Sequence, residues 1–82
     1  MGQLAIYKAY LDYGPYEGEQ DLGYFESVAG AYDAVVKSAK QYNFALNHPE
    51  VEDNQTVYPA MDYEGTYNLG YKFVIQRIEV RP

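Results

Sequence analysis

Cysteine is absent from all 82 residues, which excludes disulfide staples, thiol chemistry and any cysteine-ligated zinc site. Tryptophan is absent too, and histidine is reduced to His48. Basic residues are scarce: six lysines and arginines face twelve acids, for a net charge of −6. Direct binding of nucleic acid phosphates needs clustered cations, so that class is excluded. No stretch is apolar over the ~20 residues of a membrane span, and the opening MGQLAIYKAYLDYG lacks a basic, then apolar, secretion signal. A reducing, cytoplasmic setting and no membrane are therefore expected.

Enough apolar residues remain to fold. They make up 48% of the chain against 22% charged, ordinary values for one small globular domain covering 1–82. A domain of this size buries about 60% of its unfolded surface, which leaves little room for an internal active site. The unusual abundance is tyrosine, eleven residues beside three phenylalanines. Tyrosine fills a core margin with its ring while its hydroxyl reaches water or a partner.

Two stretches are nearly the same: YEGEQDLGY at 16 to 24 and YEGTYNLGY at 63 to 71. Each falls between two segments with strand composition. The simplest account is two hairpins in which Gly18 and Gly65 supply a positive φ at the turn and Gly23 and Gly70 stand at the strand entry. An old duplication or a repeated binding loop are the alternatives.

Strands are expected at 4–13, 21–26, 56–63 and 71–80, the first and last being the most apolar and hence central. Pro59 places the third at an edge, because proline cannot donate to a ladder. Ser27 is the N-cap of a helix over 28–46, whose apolar side carries Ala31, Val35, Ala39, Tyr42 and Leu46; Asn47-His48-Pro49 stops it. The expected fold is α+β: a single small domain with a sheet of about four antiparallel or mixed strands and one helix on one face. Followed strand by strand, this topology puts the first YEG turn and the acidic loop 47–55 at one end and the second YEG turn at the other.

Ten of the twelve acids fall in two windows, 12–26 and 50–64, neither holding a base. Glu17-x-Glu19-x-Asp21 has the alternating spacing of a calcium loop, but Leu22 and Val28 stand where such a loop needs Gly and Glu. His48 has no evident nucleophile and oxyanion partner, and a helix C-cap role suits it. No motif requires a cofactor, and an enzyme is not expected. The charge distribution points instead to a non-enzymatic interaction protein for a basic partner, in its most specific form a phage-type inhibitor that sets carboxylates where a nucleic-acid-binding protein expects phosphates. The expected contact set is Tyr13, Tyr16, Glu17, Glu19, Glu50, Glu52 and Asp53, with tyrosines as anchors. A small-ligand or calcium-binding accessory domain is the alternative.

Overall fold

A computed structural model describes residues 4–15 and 17–80. The elements in chain order are β1 (Leu4–Asp12), β2 (Glu19–Phe25), α1 (Val28–Gln41), β3 (Ala45–Leu46), β4 (Glu50–Glu52), β5 (Gln55–Met61) and β6 (Asn68–Val80). They form one antiparallel sheet in the order β2-β1-β6-β5-β3, with β4 also paired to β5. One helix lies on one face. This is the expected α+β domain, with two short strands more than the sequence suggested.

The most apolar strands are central, as expected: β1 and β6 are paired along both edges and pack one face on the helix. β1 and β6 pair without interruption from Leu4 opposite Val80 to Asp12 opposite Lys72. Period-two alternation then sends Ala9, Leu11, Phe73 and Ile75 towards the helix, where they meet Ala31, Val35 and Ala39. Alanines at 9, 31, 39 and 60 let helix and sheet approach closely. Tyr7, Tyr13, Tyr58 and Tyr71 seal the margin with half-buried rings.

The helix begins where Ser27 predicts, its hydroxyl accepting from Gly30 N at 3.1 Å. It ends five residues before the expected 46. Asn43 takes φ 58°, its N–H donates to the Lys40 carbonyl, and Phe44 N donates to the Ala39 carbonyl at 2.8 Å. That pair of bonds is a Schellman closure with asparagine in the left-handed position, and Phe44 then packs against the core. Leu46, although at helical spacing, belongs to β3 and pairs with Ala60.

β5 is not an edge. Pro59 is tolerated because β3 pairs with Ala60 and Met61 while β4 pairs with Gln55 to Val57, so the outer side of β5 is interrupted where its missing N–H points. The Pro59 carbonyl, on that same side, accepts from Asn47 N at 2.9 Å.

Candidate functional site

Both YEG turns stand at the same end of the sheet, contrary to the expected topology. The first joins β1 to β2 beyond Asp12; the second joins β5 to β6 beyond the Met61–Asn68 pair, which lies on the Lys72 side of β6. The reason is a hairpin inside the segment expected to be a plain loop. Glu52 pairs with Gln55 across Asp53 and Asn54, so the chain reverses once more and everything after it runs the other way. Asp53-Asn54, two turn-forming residues with β-branched Val51 and Thr56 one position beyond their neighbours, was the available signal.

The expected contact set is divided by that reversal. Glu17 and Glu19 are exposed at the repeat end. Glu52 and Asp53 lie at the opposite end, where the adjoining Asn54 carbonyl accepts from Arg77 N at 2.7 Å, and Glu50 lies part of the way between, opposite Val57. Tyr16 falls outside the described residues. Tyr13 is not a free anchor: its hydroxyl donates to Gln20 Oε1 at 2.6 Å and its ring sits edge-on to Tyr71 at 5.4 Å. Desolvation, then the neighbouring Tyr42, holds its phenol above the ordinary tyrosine value, so it remains a neutral donor.

The second turn supplies what the first window lacked. Asp62 Oδ1 accepts from Thr66 N at 2.6 Å and Tyr67 N at 3.0 Å, and Oδ2 accepts from the Thr66 hydroxyl at 2.6 Å. These bonds, the Thr66 hydroxyl first, hold the Asp62 carboxyl below its ordinary value. The loop so fixed leaves Tyr63 and Tyr67 outside, 73% and 66% exposed, beside the exposed Glu64. The carboxylates of Glu17, Glu19 and Glu64 make no hydrogen bond or ion pair within the described residues. The repeat itself was the signal for this grouping, once both turns are known to face one way.

Between the turns, on the face away from the helix, lies an open concavity lined by Lys8, Asp12, Glu19, Asp21 and Lys72, with Gly18 from one copy and Gly70 from the other. Lys8 Nζ stands 3.6 Å from Asp21 and 5.1 Å from the Tyr10 ring centroid. Its two lysines are thus interleaved with three carboxylates rather than gathered for an anion.

Among the described residues no group of three His, Cys, Asp or Glu is placed to hold a metal ion. Glu50, Glu52 and Asp53 cannot complete an oxygen site with Glu17, Glu19 and Asp21, because the two sets lie on different parts of the molecule. His48 is exposed between β3 and β4, its N–H bonded to Asn47 Oδ1 at 2.8 Å, and is too far along the chain from Gln41 to cap the helix. Of the serine hydroxyls, Ser27 caps the helix and Ser38 is buried. No described helix is long and apolar enough to cross a membrane. Compared with known proteins, the chain matches no family model, no curated protein and no solved structure.

Proposed function

We propose that the chain is a non-enzymatic protein that binds a basic protein partner through its repeat end. The observation that supports this most is the convergence of the two copies. Together they set Glu17, Glu19 and Glu64 at one end, their carboxylates without partners among the described residues, and leave Tyr63 and Tyr67 exposed beside them. Unpaired carboxylates draw a cationic partner in and raise its association rate, while exposed tyrosines give large contact area at small entropic cost and slow its departure. A nucleic-acid-binding protein whose phosphate site these carboxylates occupy is the most specific form of the proposal. Relative to the set expected from sequence, Glu17 and Glu19 keep their role, Glu64, Tyr63 and Tyr67 join them, and Glu50, Glu52 and Asp53 become the internal control.

The test uses two neutralised variants, Glu17→Gln/Glu19→Gln/Glu64→Gln and Glu50→Gln/Glu52→Gln/Asp53→Asn, each immobilised beside the parent and exposed to lysate of the source organism. The expected result is a basic protein that the parent and the second variant retain, that the first variant loses, and that elutes as salt rises. Equal retention by both variants removes the repeat end from the proposal. Retention indifferent to salt removes the charge mechanism.

A further inference from the structure

The face of the sheet opposite the helix is not covered by any described element; its repeat end holds Lys8, Asp12, Glu19, Asp21 and Lys72, and its other end is largely apolar along the two central strands. Alternation places Leu4, Ile6 and Tyr10 of β1 there, with Val74, Ile78 and Val80 of β6. Leu4 is 65% exposed and Val80 37%, whereas Val74 is already buried among its neighbours. An antiparallel sheet facing water ordinarily alternates apolar inward with polar outward. Here six of the ten outward residues of the two central strands are apolar or aromatic, interrupted by Lys8 opposite Gln76 and closed at the repeat end by Asp12 opposite Lys72.

We propose that this face packs against the same face of a second copy of the chain, about a two-fold axis parallel to the strands and running between β1 and β6. The observation that selects a second copy is the register itself. A two-fold so placed carries β1 over β6 of the other copy, and therefore brings each β1 residue over its own register partner. Leu4 then meets Val80 and Ile6 meets Ile78, apolar on apolar. Tyr10 meets Val74, a ring on a branched aliphatic side chain. At the repeat end Asp12 is set towards Lys72 of the second copy rather than towards another carboxylate, and Lys72 towards Asp12. A two-fold perpendicular to the strands would instead lay the apolar end over the charged end.

Size agrees with this occupant. Strands β2, β1, β6 and β5, seven to thirteen residues long at about 3.4 Å per residue and about 4.8 Å spacing, give a plan area of about 600 Å², charged repeat end included, and accessible area exceeds plan area. Stable complexes cover about 800 Å² on each partner. Aligned sheets cross at about 30°, so the pairs nearest the crossing superpose best; the midpoint of the β1–β6 pairing is Lys8 opposite Gln76, with Ile6 and Ile78 the next outward pair towards the apolar end. Both repeat ends then point the same way, leaving the tyrosines at 63 and 67 free on each copy.

Sedimentation equilibrium of the full chain tests this. The parent is expected to approach twice its 9.4 kDa monomer mass as concentration rises through about 100 μM. Ile6→Lys and Ile78→Glu, each alone, should remain monomeric, and mixing them should restore a dimer because position 6 of one copy lies over position 78 of the other. Recovery on mixing separates an interface effect from a folding defect. Leu4→Glu, on an exposed side chain, covers an isoleucine variant that does not fold and should weaken association at least about ten-fold. A parent that stays monomeric overturns the proposal. So do dimers that survive both isoleucine substitutions or Leu4→Glu, and folded single variants that fail to recover on mixing.

Discussion

The two copies of the repeat share positive-φ glycines at matching positions but differ in where the strand resumes and in side-chain fate. Gly18 and Gly65 turn the chain at φ 80° and 73°, and Gly23 and Gly70 follow at φ 128° and 83° where the ladder slips. The slips differ. Gly23 faces Ala9 and leaves Tyr24 opposite Lys8 on the helix-free face, 60% exposed. In the second copy Lys72 faces Asp12, so Tyr71 points to the helix side and packs against Tyr13 and Phe44 at 5.4 and 5.8 Å. A period of two makes each face depend on register, so one motif gives an outward tyrosine and an inward one. Their neighbouring acid and amide differ too: Asp21 pairs with Lys8, while Asn68 Oδ1 accepts from Gly70 N at 2.7 Å.

The largest expected difference lies in those tyrosines. Tyr71→Ala removes a ring from the aromatic cluster and should cost about 2–4 kcal/mol, whereas Tyr24→Ala should stay within about 0.5 kcal/mol at concentrations where the chain is a monomer. Urea midpoints measure both, and equal losses would break the distinction between inward and outward copies.

The slip glycines should differ next. A Cβ at Gly23 would stand 3.3 Å from Phe25 Cζ at a φ that side chains rarely adopt, while Gly70 has nothing within 4 Å. Gly23→Ala should therefore cost about 2–3 kcal/mol and Gly70→Ala about 1 kcal/mol. At the turns the copies should converge: Gly18→Ala and Gly65→Ala, both in open space at positive φ, should each cost about 1 kcal/mol. A silent alanine at either turn would remove the steric explanation of the motif.

The smallest difference is in acid. Asp62 has a folded-state value below its ordinary one, so its contribution is present above about pH 4 and is lost as pH falls through the depressed value. Asp62→Asn cannot titrate, so melting temperature should fall less steeply with acid between about pH 4 and pH 2 than in the parent. Parallel acid limbs for the two proteins would dissociate the second turn from this titration.

Much of this molecule was determined along the chain. Ser27 fixed where the helix begins, the apolar runs at β1 and β6 made those strands central, and glycine without Cβ made the positive φ at 18 and 65 accessible; each constraint acts within a few residues. Tertiary structure decided the rest. Leu46 fits a helical face as well as it fits β3, and the Schellman closure at Asn43 wins because Ala45 and Leu46 gain partners in Met61 and Ala60, which lie far along the sequence. The Asp53–Asn54 reversal brought the second YEG turn beside the first, gathering Glu64, Tyr63 and Tyr67 with Glu17 and Glu19 and sending Glu52 and Asp53 to the other end. Local sterics can specify that a chain turns, but which strand it meets afterwards depends on pairing across the whole sheet, and with it the end and the face on which every side chain emerges.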